Sequence, residues 1–271
     1  MRYDESAPLP PLRQAVDRLW TLTGDAADLG GHDQPVLPDG RPELVLHFGD
    51  RFHRVDPHGE APQPAIIFAG QLTRQLTLRP AGRIRVLGIR FHPFGAAALG
   101  LGPLNRLSGF TLDASDVSQP LSAALARVRN VTDDPAVAVP LVQLELMRLL
   151  DVSRIDSRVR HAVAVIERHR GQVSITRLAS ELSCSRRHLE RGFLDAVGVG
   201  PKRLARISRF QHALQLIEHA DPHRPGTVTA AACGYADQAH FIRDFRDLAG
   251  CSPGAHLLRQ GLLTGFFAGH A

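Results

Sequence analysis

"HLERGFLDAVGVGP" (residues 188–201) and "HFIRDFRDLAGCSP" (residues 240–253) superpose at a shift of 52, with six of fourteen positions identical. The identities are His188/His240, Arg191/Arg243, Phe193/Phe245, Asp195/Asp247, Gly198/Gly250 and Pro201/Pro253. Upstream, a shift of 51 pairs Leu178-Ala179 with Thr229-Ala230, so the second copy carries one extra residue in its turn. A solenoid needs three or more repeats to bury its faces. Two copies read instead as a duplicated binding unit.

Each copy has the layout of a helix-turn-helix. In the first, Ser174 caps a short helix over 175–182, "SCS" (183–185) turns the chain, and a second helix runs from about Arg186 to Val197 and stops at Gly198. Ser185 is placed to cap that second helix, and Asp237 occupies the matching position of the second copy. The small Ala179 and Ala230 suit two helices crossing closely.

The helical period separates what each second helix buries from what it shows. Leu189, Phe193 and Val197 form an inner stripe, as do Phe241, Phe245 and Ala249. The outer face of the first carries Arg187, Glu190, Arg191 and Leu194, with Arg186 at its start. The outer face of the second carries Ala239, Ile242, Arg243 and Arg246, with Gln238 and His240 near its N-terminus. Arg can bridge guanine O6 and N7, Gln can bridge adenine N6 and N7, and Glu can accept from cytosine N4. Such residues on the leading half of a helix suit entry into a major groove. Between the copies, "KRLARISRFQHALQLIEHA" (202–220) reads as an apolar helix carrying Arg203, Arg206 and Arg209. At ~1.5 Å per residue it is roughly 28 Å long, able to hold two reading helices about one DNA turn, roughly 34 Å, apart.

Charge is distributed to match. Residues 1–150 hold 15 Arg and 16 Asp+Glu, a net of −1, whereas residues 151–271 hold 17 Arg+Lys and 11 Asp+Glu, a net of +6. The basic excess therefore sits in the C-terminal part, where a nucleic-acid partner would need it.

The first 110 residues read mainly as strands and turns. "ELVLHFGD" (43–50) sets Leu44, Leu46 and Phe48 against Val45 and His47; "PAIIFAGQ" (64–71) is a short apolar run; "RQLTLRP" (74–80) alternates. In "RIRVLGIRFHP" (83–93) the apolar parity shifts from Ile84 and Val86 to Leu87, Ile89 and Phe91, which predicts a bulge near Gly88. "LPDGRP" (37–42) and "VDPHGEAPQP" (55–64) read as turn-rich connectors, and "LRQAVDRLWTL" (12–22) has helical spacing. From about residue 117 the period turns helical, over 121–130, 136–150 and 157–170. The expected fold class is α+β: a small N-terminal β-rich, barrel- or cupin-like domain, then an all-α domain with two helix-turn-helix units. The expected divisions are a regulatory or sensor domain over 1–115, a helical linker or dimerising region over 116–152, a DNA-binding domain over 153–261 and a tail over 262–271.

Other chemistries find little support. No P-loop, Ser-His-Asp set or paired acids stand at readable spacing, so neither an enzyme nor a cofactor is expected. His47, His53, His58 and His92 lack the HxH-then-Glu spacing of a cupin metal site. Asp50 with Arg51, and Arg90 with His92, suit a polar ligand or a structural turn. Cys184, Cys233 and Cys251 form no CxxC pair and read as reduced thiols. No apolar run reaches membrane-spanning length, and "MRYDESAPLPPLRQ" lacks a leader's apolar core, so a cytoplasmic location is expected.

The stretch from about 155 to 258 resembles the DNA-binding domain of the AraC/XylS family of bacterial transcriptional regulators. The resemblance rests on "LASELSCSRRHLERGF" and on "AACGYADQAHFIRDFRDLAGCSPGAH". It implies seven helices holding two helix-turn-helix units on a long spacer, double-stranded promoter DNA as partner, and base-reading positions at Arg187, Glu190 and Arg191 and at Gln238, His240 and Arg243. Ala239 and Ile242 make the second face less polar than in many members, so it is expected to contribute backbone contacts more than sequence choice. Residues 1–115 resemble an uncharacterised sensor-type domain found ahead of this module, on "PLRQAVDRLWTL", "LPDGRPELVLHFGD", "GQLTR" and "GRIRVLGIRFHPFGAAALG". A regulator of this kind calls for RNA polymerase, a small-molecule effector or a second copy of the chain as further partners. The alternative is a metal-binding or catalytic cupin-like N-terminal domain that the helical module only localises.

Overall fold

The computed structural model describes residues 1–218 and 230–257. Ten strands come first: β1 (Arg2–Ser6), β2 (Val16–Asp25), β3 (Gln34–Val36), β4 (Glu43–His47), β5 (His53–Asp56), β6 (Gly59–Pro62), β7 (Ile66–Ala69), β8 (Leu76–Arg79), β9 (Arg83–Phe91) and β10 (Thr111–Asp113). They pair antiparallel into a six-stranded sheet, β1-β2-β9-β4-β7-β10, and a four-stranded sheet, β3-β8-β5-β6. Among the described residues no ladder joins the two sheets or closes either one, so the β-rich part is a pair of open sheets and not a closed barrel.

The long central strands are buried on both faces. On one face Leu19, Leu44, Leu46, Phe68, Leu87, Ile89 and Phe91 form a core with the helices that follow. On the other, Trp20, Leu22, Ile84 and Val86 pack with Phe52 and Leu78 of the smaller sheet. This double burial explains three departures from expectation. The parity change in β9 is not a bulge at Gly88: residues 84 and 86 feed one core while 87, 89 and 91 feed the other, and the ladder runs unbroken through Gly88. The register shift instead lies in β2, between Val16 and Arg18. Residues 16–22 are strand and not helix, because apolar side chains on both faces plus that shift imitate helical spacing. The connector over 55–64 contains most of the β5–β6 hairpin. Gly88 is required by close approach: a Cβ there would overlap the Trp20 indole.

Helices follow: α1 (Ala114–Val117), α2 (Gln119–Val131), α3 (Pro135–Leu149), α4 (Ser157–Arg168), α5 (Ile175–Glu181), α6 (Arg186–Ala196), α7 (Pro201–Glu218), α8 (Gln238–Ala249) and α9 (Pro253–Leu257). Pro135 stands at the start of α3, where its missing N–H costs nothing. Leu121, Leu125 and Val128 of α2 and Val142 and Leu146 of α3 belong to the sheet's core, so the 116–152 segment has one side closed onto β-structure. Its other side leaves Val137, Leu144 and Met147 exposed. Arg90 is buried beside Asp39, and Asp50 accepts from the Arg83 N–H; both serve structure.

Helix α7 joins two helical cores. Leu204 and Ala205 near its start pack with Val163, Leu178, Leu189 and Phe193 around the first unit. Ile207, Phe210, Leu214 and Ile217 pack with Phe241, Phe245 and Leu248 of the second. The tail over 262–271 lies outside the described residues, as does the first half of the segment that corresponds to 175–182 in the second unit.

Candidate nucleic-acid interface

The two copies share one turn geometry. In the first, the Cys184 N–H donates to the Ala179 carbonyl at 3.0 Å and the Ser183 N–H to the Ser180 carbonyl at 3.0 Å. In the second, Tyr235 donates to Ala230 at 2.8 Å and Gly234 to Ala231 at 3.0 Å. These pairs correspond at the shift of 51. Ser183 (φ 51°) and Gly234 (φ 74°) take the left-handed conformation at matching points. The caps correspond at 52: Ser185 Oγ accepts from the His188 N–H at 3.1 Å, and Asp237 Oδ1 from the His240 N–H at 2.7 Å. The extra residue of the second copy thus falls between turn and cap.

Beyond each cap the helix buries one stripe and shows another. Leu189, Phe193 and Val197 are buried, as are Phe241, Phe245 and Ala249. Arg187, Arg191 and Leu194 are exposed on α6; Ala239, Arg243 and Arg246 are exposed on α8, with Ile242 half-buried. Arg187, Arg191, Arg243 and Arg246 are exposed and make no hydrogen bond or ion pair to another described residue. The remaining expected site residues are partly engaged. Arg186 donates to Glu190 at 2.9 Å along α6. Gln238, though exposed, accepts from the Ala230 N–H at 3.3 Å through Oε1. His240 packs edge-on against Tyr235, centroids 5.2 Å apart, and lies 3.8 Å from Asp244.

Arg209 sits elsewhere. Its Nη2 donates to the Gly171 carbonyl at 3.1 Å, and its guanidinium lies 5.2 Å from the Tyr235 ring centroid, so it ties α7 to both units. The other spacer arginines are also turned inward. Arg206 pairs with Asp244 at 2.8 Å and Asp247 at 2.7 Å; Arg203 pairs with Asp247 at 3.3 Å and donates to the Thr73 carbonyl. This α7–α8 clamp was not identified from the sequence. In the sequence it shows only as two arginines three apart on one helix and two aspartates three apart on another, a spacing that does not say which helices face each other. Burial pushes the Asp247 carboxyl up, but Arg206, Arg203 and Arg74 outweigh it and hold the group below the ordinary carboxylate value. Burial raises the Cys233 thiol, which suits packing beside the turn and not redox chemistry.

Among the described residues no group of three or more His, Cys, Asp and Glu side chains is placed to hold a metal ion. No described helix is long and apolar enough to cross a membrane.

Residues 178–259 match the family described as "Helix-turn-helix domain", and residues 4–113 match "Domain of unknown function (DUF6597)". The HTH-type transcriptional activator RhaS of Escherichia fergusonii is 35% identical over 107 residues, 39% of this chain and 37% of that protein. A probable thc operon regulatory protein of Rhodococcus erythropolis is 28% identical over 138 residues, 45% of this chain and 42% of that protein. The chain thus spans well under half the length of these curated relatives. Among solved structures, ToxT from Vibrio cholerae O395 aligns over 95% of this chain and 99% of its own, at 12% identity and a TM-score of 0.47. With the duplicated turn and caps, the two family matches and the curated relatives identify the C-terminal module as an AraC/XylS-type helix-turn-helix domain, carried behind a domain of unknown function.

Proposed function

We propose that the chain is a sequence-specific DNA-binding transcriptional regulator in which α6 and α8 read successive major-groove segments. The observation that carries this reading is the division of labour among the arginines. Arg203, Arg206 and Arg209 of the spacer are bound within the protein, whereas Arg187, Arg191, Arg243 and Arg246 stand exposed on the two reading helices, without an ion-pair partner among the described residues. Holding four exposed cations on two similarly capped faces serves an anionic partner. Arg187, Arg191, Gln238 and Arg243 are the base-edge readers in this proposal, with Glu190 and His240 flanking them. Arg186 and Arg246 serve phosphates, and Arg209 supports the site from behind.

The 18-residue α7 is about 27 Å long, compatible with reading helices roughly 34 Å apart on one side of a duplex. The N-terminal part would then regulate, by taking an effector or by pairing with a second copy through the exposed Val137 and Leu144 of α3. RNA polymerase is the further partner of an activator. A metal-dependent or catalytic N-terminal domain has no comparable convergence of side chains behind it.

Selection of duplexes from a random library by the full chain, followed by titration at several salt concentrations, tests the proposal. The expected result is an enriched site with two conserved segments about one turn apart and a steep salt dependence. Equal affinity for selected and random duplexes would overturn it.

A further inference from the structure

We propose that α8 selects its DNA segment through thymine methyl groups received by Ala239 and Ile242, so that the two recognition helices read segments of different base composition. The inference rests on the DNA-binding function proposed above and names the chemistry that the second helix recognises.

The shift of 52 that aligns the two copies also marks where they diverge. Arg191 and Arg243 correspond, and both are exposed. The two preceding positions on the same face do not match: Arg187 and Glu190 of α6 are replaced by Ala239 and Ile242 of α8. Residues at i and i+3 hold their Cβ atoms about 5–6 Å apart on one side of a helix, a distance of one to two base-pair steps at roughly 3.4 Å each. Arg187 and Glu190 are of the types that pair with guanine and cytosine edges, and Glu190 is held by Arg186 at 2.9 Å. Neither Ala239 nor Ile242 has a side-chain donor or acceptor. The apolar feature that a base edge presents in the major groove is the thymine 5-methyl group.

Their placement suits that contact. Ala239 is the second residue of α8 and is exposed, in the turn that enters a groove first. A side chain that ends at Cβ lets this end of the helix approach base edges more closely than Arg187 allows in the first copy. Ile242, one turn on, is half-buried and packs against the core that holds Phe241 and Phe245. A β-branched residue in a helix has one strongly preferred χ1, so its outer surface is presented in a fixed direction. Gln238, beside Ala239, is of the type that reads adenine, the partner of thymine. Arg243 and Arg246, exposed along the same face, supply the attraction to phosphates that brings the apolar pair against the duplex.

Backbone contact alone is the role that the low polarity of this face first suggests, and the leading end of α8 is unsuited to it. Asp237 places a carboxylate there, accepting from the His240 N–H at 2.7 Å, and the Ala239 side chain offers a phosphate nothing.

The test uses the full chain and the duplex that selection yields. Each thymine is replaced singly by deoxyuridine, which keeps the base pair and removes only the 5-methyl group. The segment under α8 is the one that holds the base pair relaxed by Arg243→Ala. The expected result is a loss of about fourfold in affinity per methyl at thymines met by the apolar pair, as for one buried CH₂-sized group, and no measurable change at thymines outside that segment. Ile242→Ala, and Ala239→Arg, which installs the first copy's residue at an exposed position, should each abolish the penalty at the thymine that residue meets. The uracil scan on the wild type decides even if Ile242→Ala fails to fold. Uracil tolerated at every position, a segment without thymine, or a penalty unchanged in both variants overturns the proposal and leaves the apolar pair to another partner. Failure to enrich any duplex overturns the regulator reading and this one with it, whereas an enriched site that tolerates uracil overturns the thymine reading alone.

Discussion

Gly198 and Gly250 end the two recognition helices in the same left-handed conformation, at φ 92° and 67°, and each lies against the β-rich part. Their surroundings differ. A Cβ on Gly198 would fall on Ser108 Oγ and 3.0 Å from the Leu104 carbonyl oxygen, whereas one on Gly250 would meet only the Gln75 side chain, at 3.4 Å. Both substitutions to alanine incur about 1 kcal/mol of left-handed backbone strain. Gly198→Ala also forces backbone apart, adding about 1–3 kcal/mol. Urea unfolding of the two variants is expected to place Gly198→Ala clearly below Gly250→Ala. Equal losses would show that the contact at Gly198 is not tight.

His47 and Glu43 face one cavity and pull stability in opposite directions with pH. His47 titrates near 4 in the folded chain against an ordinary 6.5, so its contribution is complete above about 6.5 and is lost as pH falls towards 4. Glu43 titrates near 7 against an ordinary 4.5, so its contribution is complete below about 4.5 and is lost as pH rises through 7. Each is on the order of 3 kcal/mol, and between pH 4.5 and 6.5 they largely cancel. Relative to wild type, the stability of His47→Gln should fall across that window as pH rises, and that of Glu43→Gln should climb. Parallel curves for all three proteins would disprove the assignment.

The helical half was legible because local signals and packing agree there. The caps Ser174, Ser185 and Asp237, the stop at Gly198 and the stripes at Leu189 and Phe241 are short-range features that tertiary structure merely completes. The β-rich half was harder to read, since strands buried on both faces lose the alternation that marks a strand. Trp20 and Leu22 face one core while Leu19 faces the other, which made β2 look helical. The roles of Arg203, Arg206 and Arg209 were hidden because a basic spacer residue looks the same whether it meets DNA or a facing aspartate. Only the position of Asp244, Asp247 and Gly171 in space separates the two.

Arg191 and Arg209 make the sharpest functional contrast. Arg191 is exposed and pairs with no described residue, so Arg191→Ala should leave stability within about 0.5 kcal/mol of wild type and weaken the selected duplex by about 1–3 kcal/mol, relaxing one base pair. Arg209→Ala removes a hydrogen bond to Gly171 and a cation over Tyr235, so it should cost about 1–2 kcal/mol of stability. Its effect on affinity should be nearly uniform across duplexes. Denaturation and competition binding on the same preparations decide. A base-specific loss for Arg209→Ala, without destabilisation, would return that residue to the reading surface.

The clamp between α7 and α8 predicts how the second unit responds to acid. Arg206 bridges Asp244, whose side chain is 8% exposed, and Asp247, at 32%. The net effect on Asp247, burial raising it but the three arginines prevailing, is a folded pKa below the ordinary value. Its contribution is therefore present above the ordinary carboxylate range and lost as pH falls through the lower folded value. Asp247→Asn should flatten the acid limb of the stability curve while changing little in high salt, where a partly exposed pair is screened. Arg206→Ala is the harsher change, since it leaves the Asp244 carboxylate buried without its guanidinium. A loss of about 2–3 kcal/mol at neutral pH is expected, with α8 exchanging its amide hydrogens faster than α6. Equal exchange in the two helices would mean that α8 is held by its apolar stripe alone.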